Sequence, residues 1–349
     1  MARILVTGAA GFIGFHLARR LLERGDEVVG LDNLCPYYDV ALKEARLAEL
    51  LPRERFRFVR ADLADRAAME RVFGGERFDA VVNLAAQVGV RHSVDHPREF
   101  VDSNVQGFLN VLEGCRGGVG HLVYASSSSV YGASTATPYA VDGGTDHPLN
   151  LYAASKKANE LMAHAYSSLH GIPTTGLRFF SVYGPWARPD MAPSLFVRAI
   201  LEGRPIFVFN HGRMERDFTY VDDVVEGLVR VLDRPPGPDP AWRADAPDAA
   251  SSAAPYRIYN LGSHRPVSLL HLVRTLEACL GRRADVRMLP LQPGEALATC
   301  ADGEGMARDF GFMPSMPMEE GMRRFVAWYL DFHTLSIPAS PAVAADAAA

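Results

Sequence analysis

Short apolar runs alternate with stretches of helical spacing along the first half of the chain. Ile4–Thr7, Glu27–Leu31, Phe56–Ala61, Ala80–Leu84, His121–Ser126 and Thr174–Phe179 have the length and apolar character of buried strands. Between them, Phe12–Arg24, Arg66–Phe73, Ser103–Cys115 and Tyr152–Leu169 have the periodicity of helices. Strands separated by helices imply parallel βαβ units. The pattern therefore predicts an α/β fold with a Rossmann-type doubly wound parallel sheet over residues 1–182. From Tyr183 the rhythm loosens, punctuated by Pro185, Pro189, Pro193 and Pro205. Strand-like Ile206–Phe209 and Ile258–Leu261 are interleaved there with helices at Val221–Leu232 and Ser268–Leu280. This predicts a smaller mixed α/β C-terminal lobe over 183–333, returning chain to the sheet near 215–232 and 256–262. Residues 234–255 read as an exposed loop and 337–349 as a disordered tail.

Composition narrows the function classes. The 349 residues carry a formal net charge of −5, which argues against nucleic acid or an anionic membrane surface as partner. No apolar run is long enough to span a bilayer, and the first residues run straight into a strand pattern, leaving no room for a signal peptide. The four scattered cysteines form neither a CxxC pair nor a disulfide framework, so they read as reduced thiols of a cytoplasmic protein. The eleven histidines include no HExxH-like pair, and no metal site is expected.

The turn after the first strand is Gly8-Ala-Ala-Gly11-Phe12-Ile13-Gly14, opening a helix. In that context Gly8 permits the tight turn, Gly11 lets the backbone approach a pyrophosphate, and Gly14 allows close helix–sheet packing. Phosphates would sit on the helix N-terminus, where free N–H groups favour anions. Asp32 ends the next strand, where a carboxylate binds adenosine ribose hydroxyls and repels a 2′-phosphate, favouring NAD over NADP. Asp62 is placed to meet the adenine edge; an N-cap for the following helix fits its position equally well. Asn33 and Leu63 adjoin these two carboxylates. Asn83 to Gln87, through Leu84, Ala85 and Ala86, ends the fourth strand with small residues, as a backbone passing beside the cofactor requires.

Tyr152 and Lys156 stand four residues apart in a predicted helix, so phenol and ammonium share one face. A phenol titrates near about 10, and work as a base near neutrality asks for roughly three units less, about 4 kcal/mol. One positive charge about 4 Å away, at an effective dielectric of about 20, supplies roughly that much. The same spacing is common on exposed helices. The serine run Ser126–Ser129, ending a strand before Val130-Tyr131-Gly132, makes the pair a candidate site of proton transfer.

Together these residues resemble the extended short-chain dehydrogenase/reductase superfamily, and from about Ala2 to Tyr329 the chain is similar to its nucleotide-sugar epimerases. The resemblance implies that Tyr152 exchanges a proton with a sugar hydroxyl. It implies also that Lys156 holds the nicotinamide ribose and lowers the phenol pKa, while Ser127 shares the hydrogen bond, with Ser128 and Ser129 alongside. The related 4,6-dehydratases carry an Asp-Glu pair directly after the catalytic hydroxyl; Ser128 and Ser129 at those places argue against elimination of water. The chain looks most like the UDP-glucuronate 4-epimerases, on Gly30–Asp39, Ala85–Arg91, Arg178–Met191, Arg213–Phe218 and Gln292–Glu295.

That family implies reversible C4 epimerisation of UDP-glucuronate to UDP-galacturonate, with tightly held NAD cycling between NAD+ and NADH. It also implies a homodimer built on helices Ser103–Cys115 and Tyr152–Leu169. Oxidation at C4 of a hexuronic acid gives a β-keto acid, which loses CO2 when the breaking bond aligns with the carbonyl. A bidentate arginine is suited to hold the carboxylate out of that alignment. By resemblance Arg188 has this role, helped by Ser181 and the Ser127–Ser129 hydroxyls, with Met191 closing the same stretch. Arg216 resembles the residue that grips the pyrophosphate, Glu295 contacts the nucleotide, and Phe207 and Phe209 flank the uracil. Plainer readings exist: Arg188 as a surface cation stacked on Trp186, Arg216 as an ordinary surface arginine, and both phenylalanines as core. Ser127, Ser181 and Glu295 depart from the Thr, Thr and Asp usual in the family. A UDP-glucose/galactose 4-epimerase, a UDP-glucuronate decarboxylase and a non-catalytic NAD-binding sensor stand as the alternative readings.

Overall fold

The chain opens with β1 (Arg3–Thr7), whose Ile4, Leu5 and Val6 are buried whichever face they point to, as in the middle of a sheet covered on both sides. Then come α1 (Phe12–Arg24), β2 (Glu27–Asp32), α2 (Val40–Leu50), β3 (Phe56–Arg60), α3 (Arg66–Gly75) and β4 (Ala80–Asn83). Two short helical turns, α4 (His92–Asp95) and α5 (Pro97–Phe100), lead through a π-helical turn at Val101–Gln106 into α6 (Gly107–Cys115). They are followed by β5 (His121–Ser127), α7 (Leu151–His170), β6 (Thr174–Phe179), β7 (Ser181–Tyr183), α8 (Ala192–Leu201) and β8 (Ile206–Val208). The remainder is β9 (Glu215–Tyr220), α9 (Val221–Leu232), β10 (Tyr256–Leu261), β11 (Pro266–Ser268), α10 (Leu269–Leu280), β12 (Val286–Met288), α11 (Glu304–Phe310) and α12 (Met318–Phe332). This computed structural model describes residues 1–334 apart from Pro293. The tail expected at 337–349 lies outside the described residues.

The main sheet has seven strands in the order β10-β6-β5-β4-β1-β2-β3, every neighbouring pair parallel. The expected doubly wound α/β fold is therefore the observed one. From β1 the chain steps outward to β3, then returns to β4 and steps the other way. A crevice opens where the direction reverses, at the carboxyl ends of β1 and β4, the place where such sheets bind ligands.

The expected return of chain near 256–262 is β10, which pairs with β6 from Tyr256↔Thr174 to Leu261↔Phe179. The segment at 215–232 behaves differently. Its strand, β9, joins β7 and β11 in a separate three-stranded sheet, and only its helix, α9, packs back against α1. Asp217 explains the choice. Its buried carboxylate accepts from the amides of Ser263 (2.6 Å), His264 (3.1 Å) and Ala301 (2.9 Å), donors that a strand sandwiched between helices would not meet. Pro193, read in the sequence as a break, instead stands in the first turn of α8, where its missing N–H costs nothing. The 234–255 segment is irregular and mostly exposed, with its end pinned by Ser252, whose hydroxyl lies 2.8 Å from His164 Nε2.

One buried ion pair holds α7 on the sheet. Arg178 of β6 donates through Nε (2.8 Å) and Nη2 (2.9 Å) to the two carboxylate oxygens of Glu160 on α7, and Ser126 adds a third bond to Glu160 at 2.7 Å. Both side chains are essentially inaccessible. Burial pushes the Glu160 carboxyl up, but the Arg178 bonds overrule it and hold the group below the ordinary carboxylate range. Arg178→Met is expected to strand a buried charge and cost about 3–5 kcal/mol, read as a lower urea midpoint. The sign with pH follows. The pair's contribution in the wild type is complete above the unfolded value of about 4.3 and is lost as pH falls through the lower folded value. In the variant burial acts on Glu160 without Arg178 to oppose it and raises its pKa, so the stranded charge is relieved by protonation and the gap between the two midpoints should narrow steadily as pH falls.

Candidate active site

The crevice continues into a cavity that runs from the glycine turn of β1–α1 to the loop after β7. Gly8 adopts φ +72°, and a Cβ there would lie 2.8 Å from the amide of Ala85. A Cβ on Gly14 would lie 2.1 Å from the Gly8 carbonyl oxygen, so helix and turn pack as the motif predicts. Thr7 cross-links the mouth, donating to Asn83 (2.7 Å) and accepting from the amide of Ala85 (3.1 Å). Gly11, the N-cap of α1, offers no side chain to the helix, leaving the first amides for a ligand.

The other residues expected around a dinucleotide meet in the same cavity. Phe12, Ile13, Asp32, Asn33, Asp62, Leu63, Leu84, Ala85, Ala86 and Gln87 all line it. Asp32 accepts from the amides of Ala10 (3.2 Å) and Leu34 (2.8 Å), with Lys43 Nζ 3.5 Å away. Asp62 accepts from Asn33 Nδ2 at 2.8 Å and from the amide of Ala64, while Asp65 caps α3 through the amide of Ala68. The helix-cap reading of Asp62 is thus corrected: the shorter path to the helix N-terminus belongs to Asp65. Gln87 is fixed by Asn104 through its backbone N–H (2.8 Å) and carbonyl (3.0 Å), yet its own Nε2 is buried with no partner among the described residues. A buried amide donor, a glycine cradle, free helix amides and a carboxylate at the strand end together fit NAD.

The catalytic candidates stand deeper, where α7 meets the end of β5. Asn150 caps α7 through the amide of Ala153 (2.9 Å), setting Tyr152 in the first turn. The phenol and Ser127 line the same cavity. Burial raises the phenol pKa; Ser127 and the charge of Arg188 oppose the rise. Lys156 stands one helical turn further along α7, in the same cavity. Its ammonium donates to the Ala125 carbonyl at 2.9 Å, and burial brings its own pKa down to about 8. The backbone carbonyl at the strand end thus anchors the ammonium inside the cavity that Tyr152 and Arg188 also line.

Arg188 reaches the cavity from the loop after β7, as does Met191. Its Nε and Nη2 donate to the two oxygens of Asp190, each at 2.9 Å, and Tyr37 donates to Asp190 at 3.2 Å. The reading of Arg188 as a surface cation on Trp186 fails, because that indole packs on Phe15 (5.2 Å), Trp328 (5.5 Å) and Phe332 (5.2 Å). Arg46, fully buried, ties this loop to the glycine turn by donating to the carbonyls of Trp186 (2.7 Å) and Ala10 (2.8 Å). Tyr37, Lys43 and Arg46 were not singled out in the sequence. The available signal was the pair of cations three residues apart among the apolar positions Leu42, Leu47 and Leu50 of α2.

The remaining candidates lie outside the cavity lining. Ser128, Ser129 and Ser181 do not line it; Ser129 donates its amide to the Ser127 hydroxyl at 3.2 Å and so orients that hydroxyl. In the lobe, Arg216 meets Glu295 at 3.4 Å, and Glu295 also pairs with Arg91 at 2.9 Å. Arg91 lies over the Phe209 ring at 4.6 Å. The core reading of the two phenylalanines is corrected: in β8 it is Ile206 and Val208 that are buried, while Phe207 is 52% exposed and Phe209 half-buried.

Fold and cavity define a nucleotide-binding enzyme of the doubly wound α/β class. The chain belongs to the NAD dependent epimerase/dehydratase family, whose model matches residues 4–243. It is 48% identical over 329 residues to a probable UDP-glucuronate 4-epimerase of Rhizobium meliloti, covering 94% of this chain and 96% of that one. The crystal structure of UDP-glucuronic acid 4-epimerase from Bacillus cereus, in complex with UDP-glucuronic acid and NAD, matches with a TM-score of 0.84 at 30% identity, covering 95% and 99% of the two chains. A dTDP-glucose 4,6-dehydratase from Streptomyces venezuelae matches almost as well, with a TM-score of 0.82 at 30% identity over 95% and 98% of the two chains. Backbone shape therefore does not separate epimerase from dehydratase; the side chains in the cavity must.

Proposed function

We propose that this enzyme interconverts UDP-glucuronate and UDP-galacturonate by reversible epimerisation at C4. The observation that carries the reading is the presence of Arg188 in one cavity with Tyr152, close enough for its charge to act on the phenol. A site for neutral sugars has no need of a half-buried guanidinium there. The hydrogen bonds to Asp190 use Nε and one Nη2 hydrogen, so the second edge of the guanidinium, Nη1 with the other Nη2 hydrogen, is available to a sugar carboxylate.

Bound NAD, held by the Gly8–Gly14 turn, Asp32 and Gln87, supplies a hydride acceptor that also gives the hydride back. The chain's own residues do the rest. Tyr152, as the tyrosinate, takes the proton of the C4 hydroxyl and Ser127 bridges phenol and sugar oxygen. Lys156, anchored on Ala125, orients the cofactor ribose. Arg188 keeps the carboxylate out of line with the carbonyl of the 4-keto sugar, preserving its CO2. Arg216 and Glu295 hold the UDP so the ketone can turn over and accept hydride on its other face. Tyr152 then returns the proton, and no net oxidation results. The residues after Ser127 support this direction: Ser128 and Ser129 offer hydroxyls where expulsion of water asks for an acid.

We also propose a cytoplasmic homodimer joined through α6 and α7. No helix among the described residues is long and apolar enough to cross a membrane. Leu161 and Leu169 of α7, 62% and 75% exposed, support a covered face there. Incubation with UDP-glucuronate should yield UDP-galacturonate resolved by chromatography. Release of CO2 with UDP-xylose, or turnover of UDP-glucose alone, would replace the reading.

A further inference from the structure

The turn between β4 and α6 carries three side chains that the reaction does not use. His92 begins α4, His96 follows it, and Glu99 stands on α5. The two imidazoles stack at 4.2 Å with an interplanar angle of 29°. The Glu99 carboxylate faces both rings, with Oε2 2.9 Å from His92 Nε2 and Oε1 3.5 Å from His96 Nδ1. One ligand atom from each residue lies within 4.8 Å of the other two.

A tetrahedral zinc-like ion sits about 2.0–2.2 Å from imidazole nitrogen and carboxylate oxygen, so its ligand atoms are about 3.3–3.5 Å apart. The separations here bracket that spacing. Closing the set asks His96 and Glu99, whose side chains are 52% and 49% exposed, to turn toward His92. His92 is the fixed member, its ring packed against Tyr37 (4.8 Å) and Phe100 (5.9 Å). Pro97, between His96 and Glu99, restricts the backbone that sets their spacing. Two imidazoles and one carboxylate suit zinc, copper or nickel, whereas calcium and magnesium take oxygen ligands.

We propose that His92, His96 and Glu99 bind a divalent transition-metal ion of the zinc class, with water in the fourth position. The three residues follow no HExxH spacing, and Pro97 stands at the bend between them. The ion clamps α4 to α5 just before Phe100, whose ring meets Tyr152 at 6.2 Å. The site stands whatever the sugar substrate is.

The test uses full-length protein without a histidine tag, stripped with a chelator and dialysed against Zn2+. One ion per chain is expected, with a dissociation constant of about 10 µM or tighter. His96→Gln and Glu99→Gln should each weaken binding at least about tenfold. Both variants should melt like the wild type without metal. Zn2+ should raise the melting temperature of the wild type alone, and Mg2+ should raise none of the three. No binding by the wild type at about 100 µM Zn2+ overturns the proposal. Binding of unchanged stoichiometry and affinity in both variants also overturns it, by assigning the ion to other residues.

Discussion

Tyr152→Phe is expected to retain bound NAD and lose turnover by about a thousandfold. The ring that packs edge-on against Phe100 at 6.2 Å is kept, so the cavity wall survives. What disappears is the phenol oxygen assigned to take the C4 proton. Nucleotide released on denaturing wild type and variant should be equal in amount, while kcat for UDP-glucuronate collapses. Undiminished turnover would move the base elsewhere. The pH profile carries a second signature. Burial raises the phenol pKa, and Ser127 and Arg188 pull it back down. The active form is the deprotonated one, so kcat/KM rises with pH until Tyr152 is ionised. Removing the Arg188 charge shifts that rising limb to higher pH, a direction no merely structural role of Arg188 would produce.

Arg188→Ala carries the other large expectation. Arg188 and Asp190 are half-buried, so losing the contact that the guanidinium would make to the sugar carboxylate is expected to cost about 2–3 kcal/mol, or about 30-fold to more than a hundredfold in kcat/KM for the acid sugar. A neutral UDP-hexose, having no carboxylate to lose, should change much less. Any residual turnover of UDP-glucuronate should be accompanied by CO2, because the 4-keto acid is no longer held out of alignment. Arg188→Lys should not rescue, since an ammonium cannot offer two parallel N–H bonds. The truncation also leaves Asp190 with Tyr37 as its one side-chain partner among the described residues. Combining it with Asp190→Asn removes that stranded charge and separates loss of the substrate contact from damage to the loop. Equal losses on acid and neutral sugars would make Arg188 a structural residue.

Much of the cofactor half was legible in the sequence because its signals are local. Phe12–Arg24, Thr174–Phe179 and Val221–Leu232 end where the periodicity and the turn residues say they should. The glycine turn is equally local: each glycine answers to a contact within a few residues or to the neighbouring strand. What escaped depends on partners distant in the chain. The helix Val40–Leu50 places Lys43 and Arg46 on its buried face, and buried cations look like solvent-facing ones until their acceptors on Asp32, Ala10 and Trp186 are known. Tyr37 and Asp190 are coupled across the fold, so the cradle of Arg188 is invisible to spacing. Sharing a helix face told that Lys156 points the same way as Tyr152, but not that the Ala125 carbonyl captures its ammonium. The lobe was least legible. Its short strands pair out of sequence order, and the Arg91–Glu295–Arg216 chain joins three separate segments.

The central claim is that one cavity oxidises and re-reduces C4 of a hexuronic acid while keeping its carboxylate. Reaction of UDP-glucuronate carrying deuterium at C4, run in ordinary water and followed by NMR and mass spectrometry, tests it most directly. The account predicts UDP-galacturonate with the deuterium still on C4, the carboxylate intact and no net NADH. Loss of the label to solvent, or a product lacking the carboxylate, would contradict it.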